Sequence, residues 1–174
     1  MLTPNPAYTR ELMQIVNTSP YPRHMAMRLA AIAIDRAEIA LDAGPCHLQP
    51  FGIVHGGVLA TLIDTATFWA AFLRIPEGAG LVNIDLKLNY LKPVVGGRLT
   101  ALGRAIRSGK TISYAEARVL DGDGALLAHG TSTLMTLPGK GLEIAAPKFL
   151  EEPASQKSER YRIKPKLRRA NLPE

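Results

Sequence analysis

The stretch Gln49-Pro50-Phe51-Gly52-Ile53-Val54-His55-Gly56-Gly57-Val58-Leu59-Ala60-Thr61-Leu62-Ile63-Asp64-Thr65-Ala66-Thr67-Phe68-Trp69-Ala70-Ala71-Phe72-Leu73 decides how this chain reads. From Val58 to Leu73 it is apolar on nearly every side, the pattern of a helix buried by its surroundings. One carboxylate, Asp64, stands in the middle of that run. Taking a polar group out of water without a partner is costly, so Asp64 implies a specific use. Mid-helix it caps nothing. Trp69 and Phe72 read as core or as the wall of an apolar pocket.

Downstream of the helix the period changes from helical to alternating. Val82, Ile84, Leu86, Leu88 and Tyr90 alternate with Asn83, Asp85, Lys87 and Asn89, which predicts a half-buried strand. Pro93 and Gly96-Gly97 end it. Arg98 to Arg107 and Thr111 to Leu120 read as two strands joined at Ser108-Gly109-Lys110. Asp121-Gly122-Asp123-Gly124 is a hairpin signal, and Ala125 to Leu137 reads as the last strand. Upstream, Met25 to Leu41 suggests two short strands with a turn near Asp35-Arg36. Tyr8 to Val16 reads as a helix, followed by an extended connector at Pro20 and Pro22. The sum is an α+β arrangement: a long antiparallel sheet, one central helix and a small N-terminal helix. Residues 1–24 form the helix and connector, 25–137 the main domain, and 138–174 a Pro-interrupted basic extension.

Of the 174 residues, 47% are hydrophobic, as expected for a soluble globular chain. No run reaches the ~18 consecutive apolar residues that span a bilayer, and the N-terminus lacks the pattern of a signal peptide. Cys46 stands alone and so forms no internal disulfide; a cytoplasmic setting is the expectation. The net charge is +6, and most of the excess lies in residues 138–174, so it says little about the folded core. Nucleic-acid binding through Lys157 to Arg169 lacks the aromatic platform that stacks bases, apart from Tyr161. His24, His47, His55 and His129 are scattered without metal-ligand spacing, and no metal site or cofactor is expected.

Gln49 to Asp64 resembles the signature of hotdog-fold acyl-CoA thioesterases, with the phenylacetate-pathway type the most similar group. Val82 to Pro93, ending Tyr90-Leu91-Lys92-Pro93, and Gly97 to Met135 fit the same pattern. The resemblance implies a hotdog fold, an antiparallel sheet wrapped around one central helix. It also implies hydrolysis of an acyl-CoA or aryl-CoA thioester. By position, Asp64 would be the catalytic carboxylate, and Gly56 the residue whose backbone N–H polarises the carbonyl. His55 would shape the loop. Gln49 would hold substrate or the attacking water, and Asn83 lies near a position where the family carries Ser or Thr to orient water. Gly57, Thr67 and Phe68 are expected to line the cleft. Lys92, Arg107 and Lys110 are expected to meet the coenzyme A phosphates, although solvated hairpin charges explain them equally well.

These residue types suit the chemistry. A thioester carbonyl becomes an oxyanion when attacked and needs donors aimed at it; the first N–H groups of a helix are such donors. Asp64 can attack the carbonyl directly or activate water, and the sequence leaves both open. Gly56 and Asp64 are eight residues apart, about 12 Å along a helix. Two antiparallel copies of the helix would bring Gly56 of one chain to Asp64 of the other, so a homodimer, or a tetramer of such dimers, is expected. A non-catalytic acyl-CoA binding or sensing protein on the same fold is the alternative.

Overall fold

The computed structural model describes residues 3–150. Helix α1 spans Pro6–Thr18 and α2 Pro20–His24; strands β1 (Met27–Ala33) and β2 (Arg36–Ala43) follow. A 3-10 turn at Pro45–His47 leads to the central helix α3, Gly56–Phe72. Strands β3 (Gly80–Tyr90), β4 (Gly97–Ser108), β5 (Ile112–Leu120) and β6 (Leu126–Leu137) complete one six-stranded antiparallel sheet, ordered β1-β2-β4-β5-β6-β3. The sheet wraps around α3, which is the hotdog arrangement.

The segment read as an extended connector at Pro20 and Pro22 is the helix α2. Proline lacks the N–H that the first helical turn leaves unused, and its fixed φ suits that turn. Elsewhere the elements fall within a few residues of the sequence reading. The turn between β5 and β6 is tied by Asp121, whose Oδ1 accepts from the N–H groups of Asp123 (3.1 Å) and Ala125 (2.8 Å).

Helix α3 buries Leu59, Leu62, Ile63, Ala66 and Ala70 against the concave face of the sheet. That face is floored by small residues: Ala101, Gly103, Ala115, Ala117, Ala128 and Gly130. At Gly103 the approach is backbone to backbone, and a Cβ there would come 2.1 Å from the Ala66 carbonyl oxygen. Small floor residues let a broad apolar helix seat deeply, and each fully buried Leu or Ile contributes about 1.5–3 kcal/mol.

Strand β3 forms one edge of the sheet and carries an irregularity between Asn83 and Asp85. A bulge flips which side chains face the core. Before it, Leu81 and Asn83 turn toward α3; after it, Leu86 and Leu88 do. Val82 and Ile84, which the unbroken alternation placed on the buried face, are 39% and 55% exposed. The Asp85 carboxylate pins the irregularity, accepting from the Thr133 N–H at 3.0 Å and its hydroxyl at 3.2 Å.

After β6 the chain returns across α1 and the end of α3. The Asn5 N–H donates to Lys148 O and the Leu150 N–H to Thr3 O, both at 3.0 Å. Lys148 is 2% exposed; its Nζ donates to Phe72 O (2.8 Å) and Ile75 O (2.9 Å) and lies over the Phe72 ring. The ammonium therefore sits at the negative end of α3 and satisfies the Phe72 carbonyl that the helix leaves open, together with that of Ile75 just beyond it. Burial lowers its pKa to about 8, opposed by the charge of Glu77. The basic run from Lys157 to Arg169 lies outside the described residues. Among the described residues no helix is long and apolar enough to cross a membrane.

Candidate active site

The loop before α3 is built from two histidines. His47 is buried; its Nδ1 accepts from the Gly44 N–H at 3.0 Å, and its Nε2 lies 3.0 Å from Met25 O. The His47 carbonyl accepts from the His55 N–H at 2.8 Å, which fixes where the helix begins. His55 is the N-cap: its Nδ1 accepts from the Gly57 N–H at 2.8 Å, and its carbonyl from the Val58 N–H at 2.9 Å. These two bonds occupy the Gly57 and Val58 donors of the first turn. The Gly56 N–H has no backbone hydrogen bond among the described residues, and it points out at the positive end of the helix.

Gly56 also lies under an aromatic ring. A Cβ there would meet Cζ, Oη and Cε1 of Tyr90 at 3.0–3.2 Å, so the position has room for glycine alone unless the ring moves. Gln49, Gly56, Leu59, Tyr90, Lys92 and Val94 line a cleft of about 340 Å³ beside the helix N-terminus.

Asp64 lies two turns along on a different cleft. Its carboxylate accepts a short hydrogen bond from Asn83 Nδ2, which also reaches the Asp64 carbonyl at 3.3 Å. The irregularity in β3 is what lets Asn83 share the helix-facing side with Leu86 and Leu88 further along the strand. Burial raises the Asp64 pKa above the usual carboxylate range, and the Asn83 bond opposes it. Asn83 Oδ1 is buried with no partner among the described residues. Asp64 shares its cleft, about 260 Å³, with Phe68 and Trp69 from α3, with Val16 and Tyr21 from the N-terminal helices and with Ser19 between them.

The residues expected at the site thus fall into separate groups. Gln49, Gly56 and Lys92 gather at one end of α3; Asp64, Asn83 and Phe68 gather near its middle. Gly57 stands at the helix start with its N–H held by His55. Thr67 is corrected: it is fully buried, and its hydroxyl bonds Ser132 (3.0 Å), Ile63 O and Asp64 O, so it faces the sheet and not the cleft. Lys92 lies 3.5 Å from Asp121 at the Tyr90 end of β3. Arg107 and Lys110 are exposed at the other end of the sheet, where β4 and β5 meet. Arg104 faces away, bonded to Glu116, which His129 also approaches. The sequence reading missed Tyr90 over Gly56 and the hydrogen bond between the hydroxyls of Tyr21 and Thr61 (2.8 Å). Both join residues far apart in the chain and leave no local pattern.

Comparison with known proteins gives this geometry its context. Residues 51–128 match the family model of the thioesterase superfamily. The solved structure of a thioesterase-superfamily protein is 30% identical, with a TM-score of 0.67, and the match covers 76% of this chain and 99% of that one. The chain belongs to the thioesterase superfamily. A thioesterase crystal structure from Haemophilus influenzae is 27% identical with a TM-score of 0.72, covering 84% of this chain and all of that one. The mouse protein acyl-coenzyme A thioesterase 13 is 26% identical over 128 residues, 71% of this chain and 91% of its own length. Thioester hydrolysis is the chemistry this superfamily membership carries. The family model, over residues 51–128, spans the His55 cap, α3 and β3; α1, α2 and the returning segment after β6 lie outside those residues.

Proposed function

We propose that this chain hydrolyses acyl-CoA thioesters in a site shared by two copies, with Asp64 as general base. The observation that carries the reading is the Asn83–Asp64 pair: a carboxylate of raised pKa, partly buried on a central helix and oriented by an amide. The unpartnered Asn83 Oδ1 beside it supports a role in orienting the attacking water. Asp64 takes the proton as water adds to the carbonyl carbon. The oxyanion is received by a helix N-terminal N–H, for which Gly56 is the open donor. Collapse expels the thiolate of coenzyme A, which recovers the proton.

Gly56 and Asp64 of one chain are about 12 Å apart along α3, too far to serve one carbonyl. A second copy supplies the missing half. β3 is an edge strand that exposes Val82 and Ile84, the kind of edge that pairs with another chain. Pairing two antiparallel copies of β3 would bring Gln49, Gly56 and Lys92 of one toward Asp64, Arg107 and Lys110 of the other. The basic residues that one chain holds apart would then converge on the phosphate end of coenzyme A. Similarity to acyl-coenzyme A thioesterase 13 supports the substrate class.

A thiol-release assay over a panel of acyl-CoA and aryl-CoA thioesters tests the proposal, with Asp64→Ala alongside. Turnover abolished by Asp64→Ala supports it. Retained acyl-CoA binding without any turnover would replace it with the binding-protein reading.

A further inference from the structure

The cleft that holds Asp64 is walled by segments lying outside residues 51–128. Val16 and Ser19, at the end of α1, and Tyr21, at the start of α2, form one wall. Phe68 and Trp69 of α3 form the other, their rings edge to face at 4.8 Å. Leu142, on the segment returning after β6, lies at the rim. The Tyr21–Thr61 hydroxyl bond fixes α2 to α3, so this wall is tied to the same helix that carries Asp64. The lining is apolar apart from a few hydroxyls, and among the described residues Asp64 is its only carboxylate.

We infer that α1, α2 and Leu142 set the length limit of the acyl group, and that the enzyme selects medium-sized, uncharged acyl thioesters. This rests on the thioesterase reading above. A volume of about 260 Å³ at ~30 Å³ per water-sized group holds roughly eight or nine non-hydrogen atoms. That suits an acyl chain of about eight carbons or one ring with a short spacer, and a longer chain would have to leave the cleft past Tyr21 and Leu142. Tyr21 (54% exposed) and Leu142 (42% exposed) stand at the opening; neither is a core residue, and the loss of the Tyr21–Thr61 bond in a Tyr21 variant is read by thermal melting.

The test is kcat/KM across straight-chain acyl-CoAs from acetyl to palmitoyl, plus benzoyl-CoA and phenylacetyl-CoA. It compares the wild type, the double variant Tyr21→Ala/Leu142→Ala and Leu142→Trp, with thermal melting to confirm folding. The wild type is expected to peak near octanoyl and the single-ring thioesters, and to fall tenfold or more by palmitoyl. The double variant should move the straight-chain optimum longer, and Leu142→Trp should move it shorter. A wild-type optimum at palmitoyl, or an optimum that neither folded variant moves, overturns the length limit and leaves the hydrolase standing. No turnover of any thioester by the wild type overturns both.

Discussion

Asn83 donates to the carboxylate of Asp64 across the gap between the edge strand and the central helix, joining residues 19 positions apart. This bond and burial act on Asp64 in opposite directions, and burial is the larger influence.

Replacing Asn83 with Leu removes the influence that lowers the Asp64 pKa and leaves burial alone. The acid limb of the kcat/KM–pH profile should therefore move to higher pH. A hydrogen bond to a charged group contributes about 1.5–3 kcal/mol, so activity at neutral pH should fall about ten- to a hundredfold. An acid limb that stays in place would show that Asp64 is not the titrating group.

Asp64→Asn should abolish turnover and raise the melting temperature at neutral pH. The folded chain holds the Asp64 proton more tightly than the unfolded chain, because its folded pKa is raised. The stability this contributes is present at low pH and lost as pH rises through the folded pKa. Asn keeps the shape without the charge, so its advantage should shrink toward the ordinary carboxylate pKa. Melting curves across that range measure it.

Complementation tests the shared site. Mixed chains of Asp64→Ala and Gly56→Val, unfolded and refolded together, form heterodimers with one intact and one doubly damaged site. Random pairing should restore about a quarter of wild-type activity from two inactive parents. Recovery no better than either parent would put both groups in one chain.

Lys148→Met should remove a pH-dependent part of the stability. The folded pKa of Lys148 is about 8, against an ordinary lysine value of 10.5. Between these values the unfolded chain keeps a proton that the folded chain releases, so raising pH through this window favours the folded chain. Wild type should therefore gain on Lys148→Met between about pH 8 and 10.5, read by chemical denaturation at each pH. Parallel curves would mean that the ammonium is solvated.

Much of the fold was legible because the strong patterns are local. The run from Val58 to Leu73 is too long and too apolar for a strand, and Asp121 to Gly124 carries its own turn chemistry. The bulge in β3 was not legible: Val82 to Tyr90 alternates without interruption, and the break is imposed by pairing with β6. Asn83 reached the candidate list by resemblance, but only the bulge lets it share the helix-facing side with Leu86 and Leu88. Thr67 was misassigned because helical spacing groups small polar residues without saying which meets the sheet; Ser132, its partner, is 65 residues away. Asp64 and His55 stood out because a charge in an apolar run and a His-Gly-Gly entry are both unusual locally, but that His55 caps the helix was not read from the sequence.

The hydrogen bond from Leu150 to Thr3 lays the two ends of the described chain side by side. The path from Thr3 to Leu150 is thus nearly a closed ring. In a chain trimmed to residues 3–150, a short linker between these ends, with new termini cut into the Asp121–Gly124 turn, would give a circular permutant that keeps every strand pairing of the sheet. The order in which the elements leave the ribosome could then be changed independently of the architecture they build.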